Sequence, residues 1–128
     1  MAVRVDADRI GGGSMNHVTF EDWMTALRSG KYAQGRGGLR SPRDTFCCLG
    51  VLADLIDPDG WTKEPVKGWY AWGPRDVVSY LTPRQDGTPD WFTEYMKRSG
   101  AQLNDVGADF LEVADELESI HARNQAAA

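Results

Sequence analysis

Two cysteines stand side by side, Cys47 and Cys48, inside the apolar run "FCCLGVLADL" at Phe46–Leu55. Close before them lies a basic, glycine-rich stretch, "RSGKYAQGRGGLRSPR". A cysteine nucleophile needs its pKa lowered by a cation, a histidine or a helix N-terminus. Arg43 is near in sequence, but the chain has only two histidines, His17 and His121, one at each end. Neighbouring residues on a helix point about 100° apart, so both thiols cannot face one substrate. Cysteine is also among the most buried residue types. The pair therefore reads as core packing, and substitutions there are expected to affect stability before activity. A disulfide between neighbours would be strained.

Metal chemistry finds no support in the spacing. There is no CxxC, HExxH or EF-hand loop, and "DPDG" at Asp57–Gly60 reads as a turn. The acids Asp109, Glu112, Asp115, Glu116 and Glu118 read as a solvated helix face. No metal, cofactor or catalytic residue is assigned.

Anion binding is the chemistry that the residues favour. Gly35, Gly37 and Gly38 let backbone N–H groups approach an anion. Lys31, Arg36 and Arg40 carry positive charge, and arginine forks suit phosphate. Tyr32, Trp69 and Trp72 could stack on a base. These nine residues form the expected ligand site, and the ligand expected is a phosphate-bearing small molecule. "GRGG" is no Walker motif, because GK[ST] is missing.

The elements that must position these groups follow from patterning. Thr19 caps a first helix with Asp22 as capping-box partner, and Val18 and Trp23 form a hydrophobic staple. Phe20, Trp23, Met24 and Leu27 share one face, and Gly30 ends the helix. A short β-hairpin is expected near residues 31–40. Ser41 and Pro42 then start a second helix running to about Ile56, with Asp44 in its first turn. Apolar on most sides, it should be the buried central helix. Gly50 within it costs ~1 kcal/mol relative to alanine, which a close crossing by another element would explain. Short strands are expected between Trp61 and Trp72, a helix rather than a strand over 74–81, with both readings open, and a loop over 82–90. A third helix capped by Asp90 should end at Gly100, followed by an extended "QLND". Asp109 and Glu112 open a last helix with a Phe110, Val113, Leu117, Ile120 stripe, Leu111 and Ala114 beside it. The fold class is α+β: a mostly helical single domain with a short β-hairpin and a buried central helix. Residues 1–14, ending in "GGGS", read as an appended tag and linker. Residues 15–122 read as the globular domain, and 123–128 as a flexible tail.

Composition bounds the class. The 128 residues suffice for one core. Hydrophobic content is 41% and charged content 26%, as in soluble globular proteins. No apolar run reaches the ~20 residues of a membrane span, and no signal peptide is visible, so a cytoplasmic location is expected. The net charge of −5 disfavours a general nucleic-acid binder. Charge is unevenly spread: Arg28, Lys31, Arg36, Arg40 and Arg43 lie together without an acid, whereas six acids and only Arg123 follow Gly100. A positive and a negative pole are expected.

Three segments, "WMTALRSGKYAQGRGGLRS", "FCCLGVLADL" and "QLNDVGADFLEVADELE", resemble in order and spacing small phage and prophage proteins. Those share an "ALRSGKY" turn, a "CCLGVL" helix and an "LND…F…IAD" ending, and the likeness spans most of residues 19–118. It implies a phage-type origin, a host cytosol location and no known catalytic set. By analogy with small phage accessory proteins, it implies an anti-defence role: a non-enzymatic protein that sequesters a phosphate-bearing nucleotide signal. A protein–protein inhibitor of a host defence protein is one alternative, and a nucleotide-cleaving phosphodiesterase another. Homo-oligomerisation stays open.

Overall fold

The computed structural model describes residues 15–73, 81, 83 and 88–127. The expected helix at 74–81 (all but residue 81), residues 82 and 84–87 of the expected loop, and residues 1–14 lie outside the described residues.

Helix α1 spans Phe20–Arg28. Its capping box forms as expected: Asp22 N–H donates to Thr19 Oγ1 (3.0 Å) and Thr19 N–H to Asp22 Oδ2 (3.0 Å). Gly30 follows in the left-handed region (φ 77°). Phe20, Trp23, Met24 and Leu27 are all buried.

Helix α2 spans Cys48–Ile56 and starts six residues later than the Ser41-Pro42 signal suggests. The Ser41 hydroxyl accepts from Arg43 and Thr45 N–H (3.2 and 3.1 Å) and closes a turn in which Asp44 adopts φ 62°. A left-handed residue cannot continue an α-helix. The chain then extends through β2 (Thr45–Phe46), which pairs in parallel with β1 (Ala33–Gln34). The actual cap is Cys47, whose sulfur accepts from Gly50 N–H (3.4 Å). Seven of the nine residues of α2 are buried, so it is the central helix. The crossing expected at Gly50 is the backbone of Leu39: a β-carbon on Gly50 would lie 1.9 Å from Leu39 O.

Residues 31–40 do not pair with one another as the expected hairpin. Gln34 and Gly35 are used by Phe46 and by Asn104, and the hairpin is built instead from β3 (Trp61–Lys63) and β4 (Tyr70–Trp72). Trp61 faces Trp72 and Lys63 faces Tyr70. Arg40 bridges both Phe46 and Tyr70 and joins the two small sheets. Asp57 heads the expected turn, accepting from Gly60 N–H (3.0 Å) and Asp59 N–H (3.1 Å).

Helix α3 spans Glu94–Asp105 and is capped by Thr93 rather than Asp90. Thr93 Oγ1 accepts from Met96 N–H (3.2 Å). Trp91 and Phe92 precede the helix, Gly100 lies inside it, and "QLND" is helical. Gly100 serves close packing, since a β-carbon there would sit 3.1 Å from Cys48 Sγ. Helix α4 spans Phe110–Ala127. Its Asp109–Glu112 capping box is reciprocal (2.9 and 3.0 Å). Phe110, Val113, Ala114, Leu117 and Ile120 are buried, while Leu111 is exposed. The helix carries on through the segment expected as a tail, with 122–126 exposed.

The helices form a ring: α1 packs on α2 and α4, and α3 packs on the same two. At its centre the Trp23 indole donates to Cys48 O (2.9 Å) and stacks on Trp91 (5.8 Å). The result is one α+β domain, mostly helical, with the strand pairs on one side. Among the described residues no helix is long and apolar enough to cross a membrane.

Candidate functional site

The thiols are closed to chemistry. Cys47 is 8% exposed and Cys48 0%. Burial pushes both pKa values up, against weaker backbone hydrogen bonds. A protonated, inaccessible thiol is no nucleophile. Among the described residues no group of three or more His, Cys, Asp or Glu is placed to hold a metal.

The nine expected ligand residues divide into five groups. Trp72 belongs to the core: it is fully buried, its indole donates to Asp57 O (3.0 Å), and no face is open for stacking. Gly35 is occupied as well. Its N–H donates to Phe46 O (2.8 Å), its carbonyl accepts from Asn104 (2.7 Å), and a β-carbon would clash with Thr45 Oγ1 at 2.2 Å. Gly35 is therefore a packing glycine and offers no backbone donor.

Lys31 and Tyr32 line a separate open groove of about 650 Å³ with Asn16, His17, Thr25 and Leu55. Tyr32 is pinned there: its hydroxyl donates to Asp54 Oδ2 (2.7 Å) and its ring meets Phe46 edge-on at 5.0 Å. Burial first, then the Asp54 hydrogen bond, hold its phenol well above the ordinary tyrosine range.

Arg40 is committed internally. Its guanidinium lies 4.1 Å from the Tyr70 ring centroid, 5.3 Å from Phe46 and 5.4 Å from Trp61. Its Nε and Nη2 both reach Asp44 Oδ1 (2.9 and 2.8 Å). Asp54 completes this aromatic box by accepting from the Trp61 indole (2.9 Å) as well as from Tyr32.

Four residues remain: Gly37 and Gly38 meet the Trp69 ring, and Arg36 adjoins them in the chain. The Trp69 ring lies across Gly38, so that a β-carbon on Gly38 would fall 2.7 Å from Trp69 Cζ3. One on Gly37 would lie 3.8 Å from Cη2. The N–H groups of Gly37 and Gly38 donate to nothing among the described residues. Arg36 donates through Nε to Asn104 O (2.9 Å), in the last turn of α3, and neither Nη group has an acceptor among the described residues. A cation at a helix C-terminus also suits the dipole.

The tryptophans separate sharply by their indole N–H. Trp23, Trp61, Trp72 and Trp91 each donate to a protein acceptor, at 2.9–3.1 Å. Trp69 alone has no acceptor among the described residues, and it is only half-buried.

The positive pole is smaller than the sequence suggests. Arg28 faces α4 and forks onto Glu118 (2.7 and 2.9 Å) and Asp115 (2.8 Å). Hydrogen bonding to Glu118, then to Asp115, raises its pKa, and the same contact lowers that of Glu118.

Sequence reasoning missed Asp54 and Asn104. Asp54 was visible as the one charged residue in an otherwise apolar helix. Asn104 was hidden because "QLND" read as a link rather than as a buried helical turn.

A family model described as "Domain of unknown function (DUF8296)" matches residues 15–84, and the chain belongs to that family. The match includes Arg36, Gly37, Gly38 and Trp69 and stops short of α3 and α4. No curated protein and no solved structure matches the chain.

Proposed function

We propose that this member of the DUF8296 family is a non-enzymatic binding protein that captures a phosphate-bearing small molecule at the Gly37–Gly38 loop. The observation that carries the reading is the Trp69 indole, the single tryptophan N–H without an acceptor among the described residues, lying across Gly38. The same loop carries the N–H groups of Gly37 and Gly38, and the residue before them supplies the terminal nitrogens of Arg36. All of these are donors, and a phosphate is an acceptor-only group that several donors can share. The half-buried indole supplies a flat face for a base, a contact worth about 1–3 kcal/mol. Burial of both thiols weighs against a cysteine enzyme. In the full proposal the ligand is a nucleotide immune signal, and the protein is of phage type and counters host defence in the cytosol by sequestration.

Calorimetry with cyclic nucleotides and ADP-ribose derivatives tests the reading. One of them should bind at tens of micromolar or tighter, and Trp69→Leu should weaken it at least tenfold without lowering the melting temperature. Mass spectrometry after denaturation should recover the ligand intact. Silence across the panel would sink the proposal, and a cleaved product would replace capture with phosphodiesterase chemistry.

A further inference from the structure

We propose that Asn104 is the positioning residue of the Gly37–Gly38 loop, holding Arg36 and the glycine N–H groups in the arrangement that a phosphate would meet. The part about phosphate rests on the binding reading above; the part about the loop does not. Asn104 is fully buried near the end of α3, where an unpartnered amide would be costly. Each of its polar groups but the helical N–H is spent on one of three consecutive residues. Oδ1 accepts from Gln34 Nε2 (2.9 Å), Nδ2 donates to Gly35 O (2.7 Å), and the main-chain carbonyl accepts from Arg36 Nε (2.9 Å).

The Gln34 amide adds a second anchor by donating to Ala108 O (2.8 Å), beyond the end of α3. Gly35 N–H is held on its other side by Phe46 O. The chain therefore enters the glycine pair from a fixed point, with the Arg36 side chain fixed at Nε and its two Nη groups left over. Among the described residues, Gly37 and Gly38 N–H find no acceptor that would set their direction. Their orientation is inherited from this anchor and from the Trp69 ring above Gly38. Groups held before the ligand arrives lose less freedom on binding.

The test uses Asn104→Leu, of similar shape but without donor or acceptor on the side chain, against Ile120→Val in the distant α4 stripe. Asn104→Ser serves if the leucine variant fails to fold. Hydrogen exchange of the Gly35 amide is followed in the ligand-free proteins, together with the Arg36 Nε resonance. The Asn104 variant should raise Gly35 exchange at least tenfold beyond what its fall in melting temperature explains, and should shift the Arg36 signal. It should also weaken ADP-ribose, or whichever cyclic nucleotide the native protein binds, at least tenfold. Ile120→Val should do neither. Exchange that merely follows global stability in both variants overturns the proposal. If the native protein binds none of the nucleotides, the binding reading falls, and the exchange and resonance arms still decide the role of Asn104.

Discussion

The helical ring and the strand side are held together by different forces. Across α1, α2 and α4 the cohesion is apolar: Trp23, Leu52, Ile56, Val113 and Leu117 are at or near zero exposure, and each such side chain contributes about 1.5–3 kcal/mol on burial. Between residues 32 and 72 the strands have only two or three residues each. There the chain is secured by side-chain pins, with Arg40 between three rings and Asp44, and Asp54 between Tyr32 and Trp61. Short strand pairs are marginal alone, so polar and cation–π contacts stand in for ladder length. This difference places unpartnered donors on the strand side. A close-packed apolar ring has no room for a free N–H, whereas a loop held at a few points can leave some exposed to solvent.

The largest effect tests whether the two sides are mechanically joined at Gly50. Gly50→Ala drives a methyl to within 1.9 Å of Leu39 O, where backbone rather than a side-chain tip must yield. The expected loss is at least about 3 kcal/mol in urea unfolding. A loss of under 1 kcal/mol would mean that the glycine-loop strand can lift off α2 freely.

Arg40→Met tests the strand side. It keeps the stem and removes the charge from Tyr70, Phe46, Trp61 and Asp44. A loss of about 1–2 kcal/mol is expected, with near-native helical content by circular dichroism. An unchanged melting temperature would show that the aromatic box stands without its cation.

The thiols test the ring through pH. An unfolded thiol releases its proton at about pH 8.5, whereas burial keeps Cys47 and Cys48 protonated to higher pH. Above that point the folded state binds more protons than the unfolded one. Stability is thus full below about pH 8.5 and falls as pH rises toward the folded values. Tyr32 adds to this decline above roughly pH 10. At about pH 8 Ellman's reagent should leave both cysteines of the folded protein unmodified and react in urea; fast labelling of either would refute their burial.

The smallest effect is Arg28→Ala. Its fork onto Glu118 and Asp115 is exposed, so its loss should cost no more than about 1 kcal/mol, less in high salt. A greater, salt-independent loss would show that ring helices too depend on charge.

Legibility in the sequence follows range. Both capping boxes were readable at Thr19–Asp22 and Asp109–Glu112 because they close within four residues. So were the apolar faces of α1 and α4 and the buried character of α2. The Ser41-Pro42 start failed because Asp44 takes a left-handed turn stabilised by Arg40, which a local helix signal cannot register. Gly100 failed as a stop because its lack of a side chain serves the packing against Cys48. Of the nine expected ligand residues, Gly37, Gly38 and Trp69 are in contact and Arg36 adjoins them in the chain; glycine and arginine content marked the loop but not the acceptors already claiming Gly35 and Arg40.

By itself the sequence determined the helix faces, the caps and the inertness of the paired cysteines, since periodicity and burial preference act along the local chain. Tertiary structure alone decided which donors stay unspent. Asn104 reaches Gly35 across 69 residues, and Trp72 is sealed by Asp57 O while the Trp69 indole N–H has no acceptor among the described residues. Hydrogen-bond partners so far apart in the chain are chosen by packing, and no spacing rule encodes them.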